Sequence, residues 1–256
     1  MIKLFKNLFE KKPKITFWSK PNVSTLNQVE PVVPAIQKLP LWFKGIPREE
    51  TVREQQKTLW EKIQYKGTIK KCPSFVDWFK RGYTISMWAD VYIRCYKEPN
   101  TDSYSFEYKF PYYKSPYEIN VHKDGQYRTF LPTIEKEKQK IVLKLVNPWL
   151  CKTPKGYSVY QMPMFYHFSE YFTVLPGIIN TDYHHELNLQ TVVHKEGEFI
   201  IKKGTPLVTY IPFKREEFDF ECIKSNEETS KYVEKNELLL ASTFEGAYKN
   251  EHRRNK

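Results

Sequence analysis

A mainly β fold is what this sequence predicts, and three observations predict it. The chain carries 18 Tyr, 17 Phe and 6 Trp, with 17 Pro against only 9 Gly, a balance that suits strands and rigid extended connections better than helix bundles. Apolar residues alternate with polar ones at period two over long stretches, as in a strand with one buried face. Short turn signals, Asp124-Gly125 and the "TPKG" at 153–156, punctuate those stretches. At 256 residues the chain is long enough to bury a core of its own.

Taken in order, "MIKLFKNLFEKKPK" has apolar residues too interrupted by lysine for a signal-peptide core and reads as a short amphipathic docking helix. No stretch reaches the roughly 20 apolar residues of a membrane span. Residues 15–50 hold a candidate strand followed by five prolines, which remove backbone donors and fix φ. An extended arm follows, with one helical turn at "LPLWFKG" and Trp42 and Phe43 as its anchors. Pro73 to Lys80 is a short helix or turn. Beyond Gly82, Ile85, Met87, Ala89, Val91, Ile93 and Cys95 alternate with polar neighbours, predicting a strand or bent strand pair. "YSFEYKF" and "YEINVHKDGQY" continue the β pattern around a rigid loop at "FPYYKSPYE".

In the second half, "KIVLKLV" is a strand that Asn147-Pro148 is expected to end, and a second strand follows the turn at 153–156. "LNLQTVV", "GEFIIKKGTPLVTYIPF" and "FDFECI" add further strands. The apolar face of Leu187, Leu189, Thr191 and Val193 needs covering, by core or by a partner. "NEETSKYVEKNELLLAS" has helical spacing and leads into a basic tail. The expected organisation is therefore a 1–50 amphipathic segment and proline-rich arm, a 51–223 β domain, and a 224–256 helix and tail.

The net charge of +11 and pI near 9.2 point to anionic partners, although 41 basic and 30 acidic residues are interspersed. Lys152, Lys155, Lys202, Lys203, Lys214 and Arg215 are the candidate phosphate or nucleic-acid contacts, with tyrosines to stack on bases. Cys72, Cys95, Cys151 and Cys222 form no C-x-x-C pair, so free thiols in a reducing compartment are expected and no zinc ribbon. Adjacent His184, His185 and Glu186 alternate in direction along a strand and cannot all chelate one ion, so neither a metal nor a cofactor is expected.

The stretch "GIINTDYHHE", Gly177 to Glu186, resembles the G-[VI]-I-D-x-D-Y-x-G-E signature of trimeric dUTPases. "FIIKKGTPLVTYIPF" is similar to the strand that follows it in dUTPases and dCTP deaminases, and "TPKGYSVYQMP" to the strand that enters their site. The resemblance covers about residues 141–213. It implies a dUTPase-like β-clip, a distorted antiparallel barrel or sandwich, assembled as a trimer in which each clip completes its neighbour's site. It also implies ligand contacts at Asn180, Asp182, Tyr183 and Gln190, with Tyr183 under a deoxyribose.

The same resemblance marks what is missing. Asn180 stands where dUTPases have the carboxylate that activates water, and Gln190 where deaminases have their Glu; an amide cannot serve as general base at neutral pH. No arginine lies between Tyr160 and Phe172 to grip phosphates, and beyond residue 220 the only glycine is Gly246. No catalytic residue is therefore assigned.

"CPSF", "DWFKRGY", "TPKGYSV", "GIINTDY" and "KKGTPLVTYIPFKR" together resemble a family of uncharacterised marine-bacteriophage and bacterial proteins over residues 16–215. That likeness implies a phage-encoded protein of the host cytoplasm or the virion. Three functions stay open from sequence: a noncatalytic oligomeric scaffold or binding module, a nucleotide-binding or nucleotide-hydrolysing enzyme with relocated acids such as Asp182 or Glu186, and a nucleic-acid binder.

Overall fold

The structure, a computed structural model, describes residues 12–20, 29–49, 68–111 and 119–242. The expected N-terminal amphipathic helix, the loop at 112–118 and the basic tail lie outside the described residues. In chain order the elements are β1 (Thr16–Ser19), β2 (Val33–Pro34), α1 (Leu41–Gly45), α2 (Pro73–Lys80), β3 (Tyr83–Ser86), β4 (Val91–Lys97), β5 (Tyr104–Lys109) and β6 (Ile119–His122). They continue as α3 (Thr133–Lys138), β7 (Ile141–Lys152), β8 (Tyr157–Pro163), β9 (Phe172–Val174), β10 (Gly177–Ile179), β11 (Glu186–Val193), β12 (Gly197–Ile201), β13 (Pro206–Lys214) and α4 (Glu227–Ser242). The fold is mainly β with a C-terminal helix, as its composition and alternation predict. Among the described residues every pairing is antiparallel, and the sheets they form do not close into a barrel.

The chain divides into two compact units. One comprises residues 1–41 and 79–215, the other residues 42–78 and 216–256. In the first, one sheet runs β1-β7-β11-β9 with β6 also on β7, a second runs β10-β8-β13-β3-β2, and a third runs β12-β4-β5.

The alternation over 84–95 is resolved as a bent pair. β3 and β4 sit in different sheets, and so do their partners β13 and β12. The two bends are tied together: Met87 N–H donates to Thr205 C=O, Gly204 N–H to Met87 C=O, and Lys203 N–H to the Asp90 carboxylate at 2.7 Å. One two-stranded ribbon thus crosses from sheet to sheet, and Ile85, Met87, Trp88, Val91 and Ile93 are buried with Leu143, Leu145 and Tyr210. Gly82 enters this ribbon with φ +81, and a Cβ there would stand 2.5 Å from the Tyr210 carbonyl oxygen, so the position requires glycine.

Two expectations need correction. Asn147-Pro148 does not end its strand: β7 continues to Lys152. The Asn147 side chain stands in for lost ladder bonds, accepting from Trp149 N–H at 2.8 Å and donating to the Leu187 carbonyl. Between Val146 and Leu150 on β7 the partner β11 advances only from Asn188 to Glu186, so proline is taken up by a bulge. "FDFECI" is not a strand. It pairs with no sheet edge among the described residues, and Phe218 and Phe220 are 86% and 91% exposed. Alternation supplies a strand's pattern, but only a partner supplies its hydrogen bonds.

The face of Leu187, Leu189, Thr191 and Val193 is buried within the single chain, so core covers it and no second copy is required to. In the second unit, the turn at "LPLWFKG" forms α1, with Phe43 buried and Trp42 against it edge-on at 5.8 Å. α4 spans 16 residues of the expected helical text, and its first turn is capped by Asn226, whose side chain accepts from Thr229 N–H at 2.9 Å.

Candidate functional site

Two turns and a strand end converge at one end of the first unit: residues 153–156 between β7 and β8, residues 180–185 between β10 and β11, and Arg215 just beyond β13. Arg215 grips Asp182 through both guanidinium nitrogens, with Nη1 to Oδ1 at 3.0 Å and Nη2 to Oδ2. Gly156 N–H donates to the same carboxylate at 3.0 Å, and Arg215 N–H donates back to Gly156 C=O at 2.8 Å. The Asp182 side chain is only 7% exposed. The hydrogen bonds from Arg215, reinforced by Gly156, hold its carboxyl down at about 2. Asp182 is thereby a clasp between two turns and the end of β13.

Beside the clasp, Ser158 Oγ is 2.7 Å from Arg215 Nη1 and 2.7 Å from Asn180 Oδ1, while Asn180 Nδ2 donates to the Tyr183 hydroxyl at 2.8 Å. Thr153 and Thr181, both buried, bond through their hydroxyls at 2.7 Å. The backbone of 180–184 closes on Asn180 C=O, which accepts from Tyr183 and His184.

Next to these turns lies an open depression of about 400 Å³, walled by β10 and the turn after it, by Gln161 of β8, and by Glu186, Asn188 and Gln190 on one face of β11. Of the four ligand contacts expected from sequence, Asn180, Tyr183 and Gln190 meet here, and Asp182 does not: it is turned into the clasp. Gln161 also reaches the depression, but its amide is spent on the Leu175 carbonyl and on accepting from the buried Tyr210 hydroxyl. The Gln190 side chain makes no hydrogen bond among the described residues. Glu186 has Lys20 at 3.6 Å and accepts from Asn188.

Sequence reasoning missed Ser158, Gln161 and Asn188 as site residues, and weighed Glu186 only as a relocated acid and His184 only as a metal ligand. Period two along β11 could have found Glu186 and Asn188 with Gln190, since the same alternation gave the buried Leu187 and Leu189. The two histidines diverge: His184 lines the depression, whereas His185 donates Nδ1–H to the Cys151 and Thr181 carbonyls, both at 3.1 Å, with Trp18 edge-on to its ring. Among the described residues no group of three or more His, Cys, Asp or Glu is placed to hold a metal ion. Burial pushes the Cys95 and Cys151 thiols up to about 11 and 12, which makes both inert.

Tyr183 is 70% exposed. Its ring is therefore not a packing anchor of the turn, and its removal leaves no buried cavity. The six basic candidates do not form one groove. Lys152, Lys155, Lys214 and Arg215 gather near the far end of β13, whereas Lys202 and Lys203 precede its start, roughly 25 Å away at about 3.3 Å per residue. Arg215, moreover, is committed to Asp182.

No protein-family model matches this chain, and no curated protein does. Among solved structures it is similar to a mutant dUTPase from phage phi11 of S. aureus, described with a structural Mg(II) ion, at 12% identity over 57% of this chain and 85% of that one, with a TM-score of 0.29. No helix among the described residues is long and apolar enough to cross a membrane.

The clasp predicts an acid-dependent stability. Because the folded Asp182 titrates at about 2, below the 3.8 of a free carboxyl, its contribution is fully present above about pH 4 and is lost as pH falls through 2. Over that window the melting temperature of the parent should fall more steeply than that of Asp182→Asn, measured by circular dichroism. Parallel curves for the two proteins would show that the clasp contributes nothing.

Proposed function

We propose that this protein is a noncatalytic binding module on a dUTPase-like β scaffold, and that its depression holds an uncharged, nucleoside-like ligand. The observation that carries the reading is the chemistry of the lining. Asn180, Asn188 and Gln190 offer amides, Tyr183 an exposed ring and Ile178 an apolar contact, and among the described residues neither lysine nor arginine lines the depression to grip a phosphate. The acids open to relocated catalysis are poorly suited to it. Asp182 is held ionised by Arg215 and would be a very weak base, and Glu186 is engaged by Lys20 and Asn188. The nucleic-acid reading loses its continuous basic track to the separation of the lysines along β13.

The resemblance to marine-phage proteins supports a phage-encoded product of the host cytoplasm, acting in the virion or in host takeover. The resemblance to trimeric dUTPases supports a homotrimer, with the N-terminal arm (1–50) and C-terminal helix and tail (224–256) as elements for a phage or host protein partner.

Purified protein should release neither pyrophosphate from dUTP nor ammonia from dCTP, since exchanging a carboxylate base for its amide removes about 100 to 10,000 fold. Turnover near 1 per second, an ordinary enzyme rate, would overturn the noncatalytic reading. Deoxyuridine should raise the melting temperature by mass action. Tyr183→Ala should abolish that shift while costing less than about 1 kcal/mol of folding stability, as a surface substitution does. No shift with deoxyuridine in the parent would remove the nucleoside pocket.

The trimer has its own test. Light scattering at micromolar concentration should return a mass several times the 30.8 kDa of one chain, and a monomer mass would refute it.

A further inference from the structure

The polar groups between Arg215 and the depression form a chain whose hydrogen-bond directions are fixed from one end. Arginine can only donate. The two hydrogens on Arg215 Nη1 have Ser158 Oγ at 2.7 Å and Asp182 Oδ1 at 3.0 Å as their nearest acceptors, with the Tyr157 carbonyl at 3.2 Å, and an oxygen 2.7 Å from a nitrogen that can only donate must accept from it. The bidentate grip on Asp182 keeps the guanidinium from turning away. Ser158 Oγ therefore accepts, and its single hydrogen is left for Asn180 Oδ1 at 2.7 Å, which also faces Nη1 at 3.3 Å. Ser158 is fully buried, so no solvent competes for that hydrogen.

Asn180 is oriented by the same logic. Flipping its amide would set an NH₂ group against the serine hydrogen and the guanidinium, donor against donor. With Oδ1 fixed inward, Nδ2 must face Tyr183, and the phenol oxygen must accept at 2.8 Å. A phenol has one hydrogen and holds it in the ring plane. With one side of the oxygen taken by Asn180, that hydrogen lies on the other, free side of a residue that is 70% exposed and lines the depression. The Gln190 amide, which has both a donor and an acceptor, imposes no direction of its own.

We propose that Tyr183 donates its hydroxyl hydrogen to the ligand, in a direction set from Arg215 through Ser158 and Asn180, so that the depression selects ligands presenting a carbonyl-type acceptor there. This rests on the binding-module reading and adds its specificity rule. Arg215, Ser158 and Asn180 are positioning residues; Tyr183 is the contact.

Two measurements test it separately. A neutron diffraction map of the deuterated, ligand-free protein should place deuterium on Asn180 Nδ2 facing Tyr183, and the Tyr183 deuterium on the side away from Asn180. A Tyr183 deuterium lying toward Asn180 overturns the proposal whatever binds. Amide NMR titrations of the full chain then compare N-methyl-2-pyridone, a carbonyl acceptor without an N–H, with aniline, which offers N–H donors.

The pyridone should bind at least about tenfold more tightly, the scale of one hydrogen bond gained rather than opposed. Tyr183→Phe should erase the preference. Asn180→Asp, which puts an acceptor where the donor was, should turn the Tyr183 hydrogen inward and move the preference toward aniline; an unchanged preference in that variant, or equal binding by the parent, overturns the selection rule. If neither probe binds, the binding-module reading and the selection rule fall together, while the neutron map still decides the hydroxyl direction.

Discussion

The Arg215–Asp182 clasp is the interaction on which the rest of the site depends. Thr181 and His185 tie the six-residue turn between β10 and β11 to the end of β7, but the exposed Tyr183 and its Asn180 partner are bonded to each other only locally. Asp182 joins that turn to Gly156 and to Arg215, three places far apart in sequence, at one nearly buried carboxylate. Everything polar that follows, from Ser158 to Asn180 to Tyr183, inherits its direction from the donor-only guanidinium. The same clasp explains why a carboxylate so close to the depression is a very weak base: protonating it would give up two charged bonds to Arg215.

The scaffold makes the clasp reachable. β13 pairs with β8 on one side and β3 on the other, and its last residues deliver Arg215 beside the 153–156 turn. β7 carries β11 along most of its length, and the bulge around Asn147-Pro148 shifts their register just where β11 enters at Glu186. Two sheets therefore present their turns at one place, and the amide-bearing face of β11 becomes a wall of the depression while its opposite face, Leu187 and Leu189, is buried.

Much of this was legible in the sequence, for physical reasons that differ by element. Period-two alternation locates β4 and most of β11 because burial on one face is a local pattern, whereas β3 and β13 bury consecutive residues. The segment from Gly177 to Glu186 stands out by its motif, and Thr181, Asp182 and Tyr183 form the turn after β10. What stayed hidden depends on pairing. Asp182 and Arg215 are 33 residues apart, and nothing local tells a clasped carboxylate from a ligand contact. "FDFECI" alternates as well as any strand here, yet no sheet edge among the described residues receives it. Asn147-Pro148 reads as a break because a side chain's ability to replace backbone bonds appears only with its partner, Leu187, in place. Lysines at 152–155 and 202–203 look like one basic set until β13 sets them apart.

Amide hydrogen exchange in Arg215→Met tests the central claim most directly, since the aliphatic stem is kept while the guanidinium and all its bonds, the clasp to Asp182 and those to Tyr157, Ser158 and Asn180, are lost. The account predicts that protection at Gly156, Thr181 and His184 falls by about tenfold or more, while Leu143 and Val208 in the core keep theirs, as local opening does. Unchanged protection across the two turns would contradict it, and so would an equal loss throughout the core.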